Sequence, residues 1–586
     1  MKEGVYMKKI LSIIMTSVLS FSLYAVNTEY KTDVVIVGSG GAGMAAALFA
    51  AENGVNVVLL EKTGYLGGAT LMSAGIIPAA GTKQQKDAKI DDSIENFKLD
   101  IFRAANYSQD KDMVETVASE AKLTIEWLES LGVKFNLITN ALYYGQSNYR
   151  MHIAEGSGAG MTIKIIEAVK KNPKITVLNF TAGTGLITDR EGVDGVRAKK
   201  SNGEEIEIYA SKVILATSGF ASNSEMLKKY IPEIVDAYPL TAPGATGEGI
   251  IWGEKLGAGL KNMHAYQGHA VFNLQTKSSI DLSILSRGGI LVNKAGKRFT
   301  NEIMGYSELT PHVVNQKDAA AYILFNKENA EKTGNFKNYT SAGIVLEGKN
   351  ISEIAKAMKV DGKELEKTIK IYNEGIEKGE DVFNRTKLPK NFHGPYYAIE
   401  ITGDLRHTQG GLVITLDGEV KKENGDKIPN LYAAGGVTEG FSGAGGPNYM
   451  SGNGLLQAFV FGRRAGISAA KSITNPMDKT IINNITSFKD NRIVKDTKYK
   501  DGKYIGEGKG YKGNIKVEIT VKDNKIAKIE AVEYKDTEII FNSAVEKISD
   551  NVIYTQNTDK IDSVAGATSS ARGIGAAIKN AVKSAK

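Results

Sequence analysis

The first strongly patterned stretch is Val34-Val35-Ile36-Val37, an unbroken β-branched run that reads as a strand buried on both faces. A small-residue turn follows, then Met44 to Asn53 reads as a helix and Val55 to Leu60 as a second strand ending on Glu61. Val213 to Ala216 and Ile428 to Gly435 repeat the buried-strand pattern, and a last helix of this part opens at Gly452 to Leu456. Between them the mixed αβ pattern of residues 240–380 reads as an insertion, and residues 471–497 are polar and aperiodic, as in a linker. From Tyr499 a new unit begins. Asp501 to Gly508 reads as a hairpin, and Ile515 to Thr520 and Lys525 to Val532 alternate as strands around Asp523-Asn524. Ile574, Ala577, Ile578 and Val582 fall at helical spacing in a C-terminal helix starting near Ser570.

The expected organisation is a leading segment at 1–25, a nucleotide-binding body at 30–240 and 380–470, an inserted α+β lid at 240–380, the linker, and an α+β unit at 498–586. The fold class is α/β: a Rossmann-like body carrying an α+β capping domain, with a small C-terminal α+β domain. No internal repeat interrupts it. The leading segment has Lys8 and Lys9 before an apolar stretch from Ile10 to Tyr24, then Ala25. It resembles a secretory signal peptide. The expected location is therefore periplasmic or extracellular, with a retained membrane anchor as the rival.

Composition removes options. The 586 residues include no cysteine, so cysteine-bound iron–sulfur clusters, c-type haem attachment, lipoprotein acylation and disulfides are excluded. The net charge of +7 is spread along the chain without a basic–aromatic recognition motif, so no nucleic-acid partner is expected. No metal site is expected either.

Gly38-Ser39-Gly40-Gly41-Ala42-Gly43, set between the first strand and its helix, is the turn of a dinucleotide-binding unit. Gly38 makes the tight turn, Gly40 admits a pyrophosphate, Gly43 allows close helix–strand packing, and Glu61 accepts from a ribose. The following Glu61-Lys62-Thr63-Gly64-Tyr65-Leu66-Gly67-Gly68-Ala69-Thr70 resembles the flavin loop of fumarate-reductase-type flavoproteins, the flavocytochrome c and urocanate reductase group. The resemblance covers roughly residues 32–470 and includes the turn at 213–219, the strand before Gly435, and Gly452-Asn453-Gly454-Leu455-Leu456. It implies FAD contacts from Lys62, Gly67, Gly68, Ala69, Thr70, Ser73, Gly219, Glu439, Gly454, Leu455 and Leu456. No histidine lies between Leu59 and Ser93, where such enzymes attach FAD, so non-covalent FAD is expected.

Asp562-Ser563-Val564-Ala565-Gly566-Ala567-Thr568 resembles the attachment signal of FMN-binding domains, in which the last threonine carries FMN through its phosphate. Ala565 departs from the usual Ser or Thr. The resemblance implies covalent FMN on Thr568, a flavin transferase for maturation, a membrane or periplasmic electron donor, and electrons passing from FMN to FAD to substrate.

The substrate motifs of the family match only in part. Gln267-Gly268-His269 keeps a histidine that would hold substrate, and Gly296 to Glu302 fixes the register. Counting on, Tyr306 stands where the family places its proton-donating arginine, and in Asn448-Tyr449-Met450-Ser451-Gly452-Asn453 Tyr449 stands where it places a carboxylate-clamping arginine. Arg406 falls at the substrate histidine, with His407 beside it, and the proton relay aligns with Leu282 and Leu285. Tyrosines here resemble the 3-ketosteroid dehydrogenases. The implied catalytic set is Tyr306, Arg406, His407, His269 and Tyr449.

Losing two bidentate clamps argues against a dianion such as fumarate, at roughly 1.5–3 kcal/mol per charged hydrogen bond. The expectation is an exported, FAD-dependent reductase of an activated C=C bond in an enoate or enone, working in anaerobic respiration, with no haem in this chain. The alternatives are a fumarate or urocanate reductase proper, a ketosteroid-type dehydrogenase, or a flavin electron carrier.

Overall fold

In the computed structural model the described residues are 26–486, 492, 494–536, 538–559, 561 and 568–585. The leading segment 1–25 and the run Asp562 to Ala567 lie outside them. The body is built on a mainly parallel sheet. Strand Thr28–Val37 lies between Val57–Leu60 and Glu205–Leu215, with Ile175–Leu178 beyond the former and Lys427–Ala433 beyond the latter. Val34 to Ile36 and Val57 to Leu60 are fully buried, as continuous apolar strands covered on both faces should be. The strand begins six residues before the apolar run because Thr28 to Lys31 also pair with Ile481–Asn484. The stretch read as a linker thus contains an edge strand. Its sequence, Ile-Ile-Asn-Asn, has no alternation to show a period.

Helix Gly41–Glu52 is apolar on nearly all sides and packs against the long helix Asn453–Lys471. A Cβ at Gly462 or Gly466 would meet the backbone of Ala42 or Ala46. These small residues let the two axes approach, which brings both helix N-termini to the same end of the sheet.

The lid is a seven-stranded sheet centred on Tyr396–Thr408, flanked by Tyr266–Asn273 and Ala320–Asn326. That central strand lies past residue 380, where the body was expected to resume; the register across it is the reason it belongs to the lid sheet. Separate apolar clusters cover the two faces, one around Leu285, Ile323 and Ile399, the other around Val292, Leu324 and Leu365.

The C-terminal unit has three antiparallel strands, Gly502–Lys509, Asn514–Lys522 and Lys525–Glu533, under helices Glu538–Thr555 and Thr568–Ala585. Asp501 to Gly508 is not a hairpin but one strand paired with Asn514–Lys522. Its Gly506 and Gly508 face the last helix, where a Cβ would strike the backbone at Ala577 or Gly573. Asp523 and Asn524 both have positive φ, the geometry that suits a tight two-residue hairpin. Helix Glu538–Thr555 lies against the body: Lys547 stands over the Phe180 ring at 5.8 Å, and a Cβ on Gly64 would collide with Phe180 and Ser543.

Candidate active site and flavin pockets

The glycine turn forms a cradle. Gly38 has φ +102°, and a Cβ there would meet the Ala216 carbonyl; one on Gly43 would meet the Gly38 carbonyl. Gly40 has open space on its side-chain face, the room a pyrophosphate needs beside a helix N-terminus. Glu61 is buried, accepting from Ser39 Oγ at 2.6 Å and from Thr63 N and Oγ1 at 2.8 Å each, which fixes its carboxylate at the strand end. Thr70 Oγ1 accepts from Gly41 N at 3.0 Å, tying the flavin loop to the same helix. Gly67 and Gly68 have φ of +117° and +47°, Ala69 is half-buried, and Ser73 closes the loop on the Thr70 carbonyl at 2.8 Å. Gly219 abuts Thr408, and Glu439, itself buried, pairs with Lys261 at 3.1 Å. Lys62 turns outward to Glu248 at 2.7 Å. The buried Thr162 Oγ1, Thr217 Oγ1, Asn453 Oδ1 and both amide atoms of Gln409 have no protein partner. Such orphans beside a glycine cradle fit a polar dinucleotide that completes them.

The substrate residues come together where the lid meets the body. His269, on strand Tyr266–Asn273, lies opposite Asp404, and Gln267 opposite His407, so the antiparallel register brings both histidines to one end of the lid. Four rings form a chain. His269 and Tyr306 are 5.2 Å apart, Tyr306 and Tyr449 5.9 Å, and Tyr449 and His407 6.3 Å. Tyr306 Oη hydrogen-bonds Ser451 Oγ at 2.7 Å. His407 lies over Gly454, where a Cβ would come within 2.8 Å of the ring, and Leu455 and Leu456 continue that first turn. Burial pushes the His269 imidazole down to about 3 and His407 down to about 4, with Arg406 adding to both. Burial raises the Tyr306 phenol, against the Ser451 hydrogen bond, and raises Tyr449 well above its ordinary value. The four rings are therefore neutral hydrogen-bonding groups near pH 7.

Arg406 is held by the fully buried Asp404, Nε to Oδ1 at 2.9 Å and Nη2 to Oδ2 at 3.1 Å, and donates to Ser279 Oγ at 2.6 Å. Its charge is matched before any ligand arrives. Arg298 is committed elsewhere, to Glu302 at 2.7 Å and to Asp381. Leu282 and Leu285 pack in the lid core. Ser451, Asp404 and Ser279 escaped sequence reasoning. Only the strand register and the loop closure before the long helix bring them to the rings.

Thr568 is exposed at the first position of the last helix. Behind it Asp536 accepts from Ser570 Oγ at 2.6 Å and from the amides of Tyr511 and Lys512 at 3.0 and 2.6 Å. These hydrogen bonds hold its carboxylate low against the opposing effect of burial. An exposed hydroxyl at a helix N-terminus fits a phosphate-linked group.

Comparison with known proteins finds both flavin domains. Residues 33–455 match the FAD binding domain family and residues 510–583 the FMN-binding domain family. A fumarate reductase (cytochrome) of Shewanella frigidimarina is 34% identical over 447 residues, covering 75% of this chain and 77% of that protein. The open conformation of a flavocytochrome c3 fumarate reductase superposes with a TM-score of 0.68 at 29% identity, over 79% of this chain and 81% of that one. The 3-ketosteroid-Δ4-(5α)-dehydrogenase of Rhodococcus jostii RHA1, in complex with 4-androstene-3,17-dione, gives 0.62 at 27%, over 75% of this chain and 97% of that one. The chain belongs to the FAD-dependent oxidoreductases of the fumarate-reductase type, acting on CH–CH bonds, and carries an FMN-binding domain at its C-terminal side.

Proposed function

We propose that this protein is an exported reductase of a mono-anionic or neutral activated alkene, an enoate or enone, in anaerobic respiration. When bound, FAD supplies the electron pair that reduces the alkene, and FMN esterified to Thr568 by a flavin transferase brings electrons from a membrane or periplasmic donor. Tyr306 gives the proton to the α-carbon from its neutral phenol. Tyr449 and the neutral His269 and His407 donate hydrogen bonds to the carbonyl oxygen, where negative charge develops. The N-terminal turn at Gly452 to Leu456 favours that charge. Arg406 orients the lid end through Asp404 and leaves a matched rather than free cation at the site. Export rests on Lys8, Lys9 and the apolar Ile10 to Tyr24.

The observation that carries the reading is the ring chain of Tyr306, Tyr449, His269 and His407 beside an arginine already paired with Asp404. A dianion finds no unmatched guanidinium among them. The test is reoxidation of the reduced flavins by fumarate, acrylate, urocanate, cinnamate, cyclohexenone and 4-androstene-3,17-dione. Turnover of an enone or mono-anionic enoate, with poor turnover of fumarate, supports the reading; efficient fumarate reduction overturns it. The likeness to the ketosteroid enzyme favours one second reading, oxidation of a saturated ketone to an enone, and reduction of the flavins by a saturated 3-ketosteroid would establish it.

A further inference from the structure

The last helix carries a cation with no visible task. Helix Thr568–Ala585 buries Ser570, Ala571, Ile574 and Ile578 and leaves Thr568 and Arg572 exposed on its other side. Positions 568 and 572 are one turn apart. A helical side chain leans toward the N-terminus, so the Arg572 guanidinium reaches back over the turn that opens with the Thr568 hydroxyl. Nothing acidic stands in that first turn. The described ion pairs of this unit join Lys503, Lys516 and Lys528 to glutamates of its sheet, and Arg492 and Lys495 to Asp550 and Asp559; none includes Arg572. Asp536, behind Thr568, is already engaged by Ser570 Oγ and by the amides of Tyr511 and Lys512, and the Lys512 ammonium adds its attraction. Glu538 stands in the first turn of its own helix, where the dipole favours it.

The helix end and Arg572 thus present positive charge that no carboxylate among the described residues pairs with. A phosphate esterified to both Thr568 and riboflavin keeps one negative charge and two free oxygens, a match for the guanidinium fork. Ala565, in place of the Ser or Thr usual in the attachment signal, has no hydroxyl to offer that phosphate. We propose that Arg572 is the counter-ion of the FMN phosphate on Thr568 and fixes that linkage against the helix. The proposal rests on the reading of Thr568 as the attachment point. Arg572 is a positioning residue: it holds the phosphodiester by charge-assisted hydrogen bonds and takes no part in electron transfer. Because the pair lies at the surface, salt weakens it.

The experiment uses full-length holoenzyme made with a flavin transferase, its FMN load read from the intact mass. Phosphorus NMR then follows the Thr568 phosphodiester, which resonates apart from the pyrophosphate of FAD. In the unaltered protein this resonance moves as salt is raised, because salt screens the pair. In Arg572→Ala it stands at the high-salt position from the start and its salt response is lost. Arg572→Lys restores both in part, since a single ammonium replaces the fork. Hydrogen exchange gives a second readout. Attaching FMN slows exchange in the last helix by about one-and-a-half- to fivefold more in the unaltered protein than in Arg572→Ala, the effect expected of an exposed pair. An unchanged resonance and salt response in Arg572→Ala, or equal slowing in the two proteins, overturns the proposal. If Arg572→Ala takes up no FMN, rescue of loading by Arg572→Lys supports the same contact, and failure of that rescue overturns it. Unaltered protein that gains no FMN mass at Thr568 overturns the attachment reading instead.

Discussion

Tyr306 and Tyr449 are equivalent in type but not in place. Tyr306 touches Ser451 and His269, whereas Tyr449, 2% exposed, lies between Tyr306 and His407. Tyr306→Phe is expected to lower kcat by about 10²–10⁴ with FAD content unchanged, the range for a lost general acid. Tyr449→Phe is expected to act mainly on KM, since it removes a binding contact; steady-state kinetics with the panel alkene separate the two. The buried histidines set a second expectation. His152, bonded to Thr82, and His407 have values near 4, and His269 near 3, all below the ordinary 6.5. Their stabilisation is present above 6.5, where folded and unfolded chains are both neutral, and is lost as pH falls toward 4, because the unfolded chain then binds more protons. Thermal unfolding should drop in that window, and His152→Gln should flatten the drop; an unchanged profile in the variant would refute the assignment. At this scale Tyr306 was read by counting from Glu302 and Tyr449 from its place before Gly452-Asn453. The capture of Arg406 by Asp404 was not, because only the strand assignment puts residues 404 and 406 on one face.

The elements that position the site were legible where the apolar run was continuous, as in Val34 to Val37, and hidden where tertiary pairing made the element. Ile481–Asn484 is a strand only because Thr28 to Lys31 offer it an edge. Tyr396–Thr408 belongs to the lid because Ala320–Asn326 and Tyr266–Asn273 both pair with it. Beneath the lid, Glu302 accepts from Arg298 and from Arg385 at 3.0 Å, and Asp381 accepts from Arg298, all four side chains buried or nearly so. Glu302→Gln leaves Arg298 with Asp381 alone and the buried Arg385 guanidinium with no carboxylate partner. It is expected to destabilise the lid by about 3–5 kcal/mol, the cost of breaking a buried pair. Urea titration followed by lid-directed proteolysis measures this, and a midpoint equal to that of the unaltered protein would show the network to be dispensable.

Across the whole molecule, the FAD body and the FMN unit were separable in the sequence, because the pattern changes at Tyr499 and each part has its own phosphate-binding turn. How they touch was not, since the contact rests on one glycine and a helix face. Thr568→Ala is expected to remove the mass of one FMN from intact protein made with a flavin transferase, leaving FAD in place and activity from a dye donor intact; an unchanged mass would refute it. Gly64 draws the two parts into one consequence. It lies between Glu61 and Gly67, in the loop that closes the FAD pocket, and it is also the flat seat for Ser543 of helix Glu538–Thr555. The same few residues are thus the wall of one pocket and the berth of the other unit, so a change in this loop reaches both. Thr568 stays exposed. Gly64→Leu would displace Phe180 of the body as well as Ser543 of the FMN unit, so FMN-fed turnover should fall more than dye-fed turnover.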